Sequence, residues 1–183
     1  MTSWSLLPVA LVLLCSSTFC SPGCDLTQGL QEDFSLLNQM RAFSLVPCLK
    51  DKASFNFPKE VLEGNQLQRG DAITILHEVL QQMFTLFSQK AAPVAWDQTQ
   101  LMQLLIGLDQ QIEQLESCLT QDVEQDEPSL ESENLLMPLK IYFQGISQYL
   151  QGKGYSHCAW EVTRVEIRRC FLFLSKLSRK FRD

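Results

Sequence analysis

The chain has 183 residues, 45% of them hydrophobic, with 21 acids against 15 bases and a formal net charge of −6. So much apolar side chain excludes a disordered polypeptide, and the negative balance argues against a nucleic-acid ligand, whose phosphates need a basic footprint. The charge is also uneven: Asp122, Glu124, Asp126, Glu127, Glu131 and Glu133 crowd residues 120–133 without a base, whereas residues 160–183 hold seven Lys/Arg against three acids.

In chain order, the first feature is the apolar run Leu6–Leu14, followed by the small residues Ser16, Ser17, Ser21 and Gly23. It is too short to span a bilayer and has the form of a secretory leader cleaved after Gly23, although its start lacks the usual Lys or Arg. The expected product is a single secreted domain, residues 24–183, with no membrane insertion.

Five segments then repeat apolar residues with the helical period. The first, about Thr27 to Phe43, puts Leu30, Phe34, Leu37 and Met40 on one stripe. The second, about Ala72 to Ala92, has Asp71 as its expected N-cap and presents Ile73, Leu76, Val79, Leu80, Met83 and Phe87. The third opens at Asp97 and carries Leu101, Leu104, Leu105, Leu108, Ile112, Leu115 and Leu119. The fourth, about Leu135 to Gln151, places Pro138 in its first turn, where a missing N–H costs nothing. The fifth covers about Ala159 to Phe181. No useful stretch alternates with period two. Short connections at 93–96 and 152–157 favour antiparallel neighbours, and the long 44–71 segment suits a crossover, so the expected fold is an all-α bundle.

The last segment has two faces. At ~100° per residue, Trp160, Thr163, Ile167, Phe171, Leu174 and Phe181 share a core arc, with Cys170 and Leu177 on its border. Val165, Arg169, Leu172 and Lys176 lie opposite, with Phe173 beside them and Arg168 nearer the edge. Apolar anchors among guanidinium groups form the pattern of a binding hot spot. The alternative is that Leu172 and Phe173 pack beneath the first helix or the 44–71 loop.

Other chemistry finds little support. Cys24, Cys48, Cys118, Cys158 and Cys170 remain after the leader is removed, none in a C-x-x-C pair, and the only histidines are His77 and His157. Two disulfides and one spare thiol suit an oxidising compartment, with the pairing left open, and no metal or cofactor is expected. His157 beside Cys158 is a poor catalytic pair, because a disulfide-committed sulfur offers no thiolate. His77, one residue off an apolar stripe, is expected at or near the surface. The acidic loop lacks the spacing and glycine of a calcium site, and Trp96 and Trp160 are expected in the core. Asn38, Asn56, Asn65 and Asn134 are not followed by a glycosylation sequence.

One pattern is more specific. Tyr142-Phe143-Gln144-Gly145-Ile146 and Tyr149-Leu150 precede Cys158-Ala159-Trp160 and Glu161-Val162-Thr163-Arg164-Val165-Glu166-Ile167-Arg168-Arg169. Together with Cys24-Asp25-Leu26, Cys48-Leu49-Lys50-Asp51, Leu76-His77-Glu78, Gln81-Gln82-Met83-Phe84 and Ala95-Trp96-Asp97, it resembles the type I interferons over nearly the whole segment after the leader. The resemblance implies a five-helix up-up-down-down cytokine bundle with a long first crossover loop, disulfides Cys24–Cys118 and Cys48–Cys158, and no enzymatic activity. It implies a secreted antiviral cytokine that bridges the two subunits of the heterodimeric type I interferon receptor and brings their kinases together. By position, the high-affinity subunit would meet Leu49, Lys52, Arg164, Val165, Arg168, Arg169, Leu172 and Phe173. The low-affinity subunit would meet Phe84, Thr85, Gln89, Gln100, Leu105, Asp109 and Lys140.

Departures from the family pattern stand at Lys52, where arginine is common, and at Leu105 and Asp109, where tyrosines are common. The segment between Cys24 and Cys48 is about one helical turn short, and Cys170 is an extra thiol. A monomer is expected, with Cys170 available for a covalent dimer. The alternative within this resemblance is a trophoblast-type or weakly signalling ligand that engages mainly the high-affinity subunit.

Overall fold

Apolar side chains every three or four positions can be buried together only if the chain winds helically and neighbouring helices cover one another's stripes. The computed structural model of the protein describes residues 25–40, 46–59, 67–89, 96–122 and 130–180; the leader, Cys24 and Phe181 lie outside them. Among the described residues are α1 (Thr27–Gln39), a 3-10 turn (Val46–Asp51), α2 (Arg69–Phe87), α3 (Gln98–Asp122), α4 (Leu130–Gly152) and α5 (His157–Lys180), and no strand. They form the expected all-α bundle of five helices. α1 packs on α3 and α5, α2 on α3, α4 and α5, and α4 on α5, while the 3-10 turn rests on α5.

Helix ends follow local chemistry. Asp97 is the N-cap of α3, its Oδ1 accepting from the backbone N–H groups of Thr99 at 2.8 Å and Gln100 at 3.0 Å. Asp71 is not the N-cap expected for α2. That helix begins earlier, at Arg69 after Gln68, and Asp71 lies in its first turn, where its carboxylate accepts from the Gln68 N–H at 3.2 Å and faces the positive end of the helix dipole. Pro138 is likewise displaced from expectation. Because α4 begins at Leu130, the proline lies inside the helix and removes one ladder hydrogen bond there. After α4 the chain reverses through Gly154 (φ 57°) and Tyr155 (φ 54°), and the Tyr155 N–H returns to the Leu150 carbonyl at 2.8 Å. This tight turn makes α4 and α5 antiparallel.

The core agrees with the expected stripes. Leu30, Leu37, Met40, Val79, Met83, Leu104, Leu108, Leu115, Ile146, Ile167 and Phe171 are buried. Trp96 and Trp160 are core residues, their rings 5.6 Å apart and both packed with Phe87. His77 is half-buried between α2 and α3, its Nε2 3.1 Å from Glu116 Oε1.

Candidate functional site

Residues 46–59, the described part of the long segment before α2, fold onto the last two helices. Cys48 is disulfide-bonded to Cys158, 110 residues further along, which fastens the 3-10 turn to the start of α5. A bond closing so long a loop restricts the unfolded chain by about 4–5 kcal/mol in the loop-entropy account. Tyr149 Oη donates to the Asp51 carbonyl at 2.6 Å, and Lys153 Nζ pairs with Asp51 Oδ1 at 2.8 Å. Phe55 meets the Tyr149 ring edge-on, and Phe57 packs on Tyr142 and Phe173. Cys118 is disulfide-bonded at the C-terminal part of α3, but its expected partner Cys24 lies outside the described residues.

These contacts place the turn beside one exposed stripe of α5. Leu49 is 65% exposed on the turn and Leu172 53% exposed on the helix, with Lys52, Arg169 and Lys176 also exposed and Val165 half-buried. Large aliphatic side chains open to water among cations are the exception on a helix surface that otherwise carries charge. Between the 54–59 segment and α5 runs a groove of about 400 Å³, bordered by Phe55, Lys59, Arg169, Leu172 and Lys176.

Two residues expected on this surface are inside the protein. Arg164 is 1% exposed: its Nε and Nη2 donate to Glu161 Oε2 at 3.1 and 2.9 Å, and Nη1 reaches the Leu37 carbonyl at 2.7 Å. Trp96 Nε1 donates to the other Glu161 oxygen at 2.9 Å. A buried guanidinium requires this complete pairing, and its partners draw it from the surface into the contact between α5 and α1. Phe173 is buried against Phe57, so the two alternatives for Leu172 and Phe173 divide: the phenylalanine packs under the loop and the leucine faces out.

Arg168 occupies the edge between these extremes. Its guanidinium carbon lies 5.3 Å from the centre of the half-buried Phe34 ring on α1, a cation–π contact. Burial first, and neighbouring Arg164 second, lower its pKa from the ordinary arginine value. The helical wheel missed Phe34 as a surface component because that residue shares the periodic core stripe of α1.

A second constellation passed unnoticed in the sequence. Glu166 is buried on α5 and shares its carboxylate between two elements: Oε1 accepts from Tyr142 Oη of α4 at 3.0 Å, and Oε2 accepts from Arg169 Nη1 at 3.0 Å. The Cys170 sulfur is 3.1 Å from the same phenol oxygen. Burial pushes the Cys170 thiol up to about 12, and burial first, then Cys170 and Glu166, also raise the Tyr142 phenol. Both groups therefore keep their protons at neutral pH. No periodicity or motif signals such a network, because its members are spread over two helices.

The other expected surface is mixed. Thr85, Asp109 and Lys140 are exposed, whereas Phe84, Gln89, Gln100 and Leu105 are half-buried. Exposed Met102 and Ile106 flank Leu105 on α3, and exposed Met137 and Ile141 flank Lys140 on α4. Catalytic chemistry has no foothold at His157, since the adjacent Cys158 sulfur is in a disulfide. Among the described residues, no group of three or more His, Cys, Asp or Glu could hold a metal ion. No described helix is long and apolar enough to cross a membrane.

Residues 24–181 match the sequence family described as Interferon alpha/beta domain. The chain is 47% identical to Homo sapiens interferon alpha-16 over 184 residues, covering 98% of this chain and 97% of that protein. It is 47% identical to Equus caballus interferon alpha-2, covering 92% and 93%, and 43% identical to Cervus elaphus interferon tau, covering 95% and 91%. The structure of zebrafish interferon 2 superposes with a TM-score of 0.72 at 22% identity, covering 81% of this chain and 96% of that one, a likeness of fold.

Proposed function

We propose that this chain, which belongs to the interferon alpha/beta family and is thus a cytokine and not an enzyme, is exported after loss of residues 1–23 and bridges the two subunits of the type I interferon receptor. The high-affinity subunit takes the disulfide-fastened turn and α5; the low-affinity subunit takes α2, α3 and α4. Joining two different receptor chains brings their cytoplasmic kinases together and starts the antiviral response. Two modest contacts on one membrane reinforce each other, because the second forms at high effective concentration.

The observation that carries this reading is the exposed stripe of Arg169, Leu172 and Lys176, with half-buried Val165, on the helix to which the turn bearing exposed Leu49 is fastened. Apolar anchors that would otherwise face water gain by burial against a partner, and the flanking guanidinium supplies directional hydrogen bonds. Lys52 contributes charge without a bidentate fork, so its contact is weaker than an arginine's. Arg164 and Phe173 act on this surface from within, as its supports.

A second reading, engagement mainly of the high-affinity subunit with weak signalling, draws on Asp109 and Leu105 in place of aromatic anchors. Exposed Met102, Ile106, Met137 and Ile141 weigh against it by offering apolar contact on α3 and α4. Titration against each purified subunit tests both readings. Binding to both subunits is expected, with Arg169→Ala weakening the high-affinity contact by more than ~1 kcal/mol. An unchanged dissociation rate for that variant would overturn the assignment, and absence of any low-affinity binding would select the second reading.

A further inference from the structure

The exposed guanidinium of Arg169 is held from inside the protein. Its partner, Glu166, is only 6% exposed, and the other oxygen of that carboxylate takes the buried Tyr142 phenol of α4. The phenol has one proton, and it points at Glu166. The contact between Tyr142 Oη and Cys170 Sγ must then use the thiol proton, so Cys170 donates to the phenol oxygen. A directed chain results: thiol to phenol, phenol to carboxylate, and guanidinium to the same carboxylate. Each donor in it has one acceptor, which leaves Glu166 a single rotameric arrangement with both oxygens satisfied.

We propose that Tyr142 and Glu166 are positioning residues for Arg169, aiming its guanidinium at the high-affinity receptor subunit through this buried relay. The inference rests on the receptor-binding reading of α5 given above. Arginine loses much side-chain entropy when it is immobilised at an interface. An arginine already held at one nitrogen leaves its remaining donors directed outward, so less of that loss falls on the binding step. Glu166 also forms part of the groove wall beside Arg169, Leu172 and Lys176, where a partner's side chain would meet the held guanidinium.

The test uses the full secreted chain, with dissociation measured from each immobilised receptor subunit. Tyr142→Phe preserves the ring and removes the hydroxyl. It is expected to speed dissociation from the high-affinity subunit by about threefold to tenfold, in the lower part of the range of coupling within one hydrogen-bonded network. Binding to the low-affinity subunit is expected to be unchanged. In the Arg169→Ala background the same substitution should have little further effect, because the group being aimed is gone. Glu166→Gln serves as the second variant: its amide still accepts from Tyr142 but presents donors to Arg169, and it should reproduce the loss.

Additive effects of Tyr142→Phe and Arg169→Ala would overturn the relay, as would equal losses on both subunits, which would indicate a general defect of folding. If Arg169→Ala itself left dissociation unchanged, the receptor-binding assignment beneath the relay would fall, and the relay with it. That outcome is distinct from additivity, in which Arg169 matters but is not held by the network.

Discussion

Arg164 of α5 donates to the backbone carbonyl of Leu37 in α1 at 2.7 Å while its other nitrogens grip Glu161. One side chain thereby joins the first and last helices and neutralises a carboxylate with no access to water. Removing one member of a buried pair strands the other, at about 3–5 kcal/mol. Arg164→Ala should therefore lower the unfolding free energy by about that amount, measured by urea denaturation. A variant that unfolds like the parent yet loses receptor binding would return Arg164 to the surface role implied by family position.

Neighbouring Leu172 and Phe173 should separate stability from binding. Phe173 is buried against Phe57, so Phe173→Ala is expected to cost about 3–5 kcal/mol of stability. Leu172 is exposed, and Leu172→Ala should move the unfolding midpoint by less than the equivalent of ~0.5 kcal/mol while raising the dissociation rate from the high-affinity subunit. Equal destabilisation by both substitutions would contradict their opposite orientations.

This pair also marks where the sequence stopped being informative. Helical periodicity located all five segments and the core aromatics, because burial of a stripe is a property of one helix at a time. It placed Val165, Arg169, Leu172 and Lys176 opposite the core for the same reason. Arg164 and Phe173 escaped it, because other elements complete their burial: the Leu37 carbonyl of α1 takes Arg164, while Trp96 holds its partner Glu161, and the 54–59 segment covers Phe173. The sharing of Glu166 between Tyr142 and Arg169 escaped for a related reason, since residues 24 apart in sequence meet only after α4 and α5 pack. Pro138 misled in the opposite way. A proline suggests a helix start, but α4 continues upstream through it.

Asp33 should make stability depend on pH in the direction opposite to that of a paired carboxylate. It is buried between α1 and α3 with Gln111 Nε2 as its donor. Desolvation chiefly, and Glu32 to a lesser extent, raise its pKa from 3.8 to about 7 against the lowering effect of the Gln111 hydrogen bond. Between those values the folded chain binds a proton that the unfolded chain has lost, so stability falls as pH rises. Below about pH 4 both states are protonated and the contribution is complete; above about pH 7 it is gone, a change on the order of 4 kcal/mol. Asp33→Asn resembles the protonated form. Chemical denaturation at pH 4.5 and 7.5 should show the variant losing less stability than the parent over this interval. Identical losses in the two proteins would remove Asp33 as the titrating group.

The same carboxyl determines what residue 107 can be. Gly107 lies within α3, where alanine would ordinarily add about 1 kcal/mol of helix stability over glycine. A β-carbon there would overlap Asp33 Oδ1 and sit 3.1 Å from its Cγ. Asp33 is enclosed and engaged by Gln111, so relief requires α1 and α3 to separate or the hydrogen bond to break. Overpacking of this kind costs about 1–3 kcal/mol, enough to outweigh the propensity gain. Gly107→Ala should therefore destabilise the parent but stabilise an Asp33→Ala background, where the obstructing oxygens are absent. Urea midpoints of the parent, the two single variants and the double variant measure that reversal. A Gly107→Ala effect of the same sign in both backgrounds would mean that Asp33 moves aside freely and that the glycine is retained for some reason other than this contact.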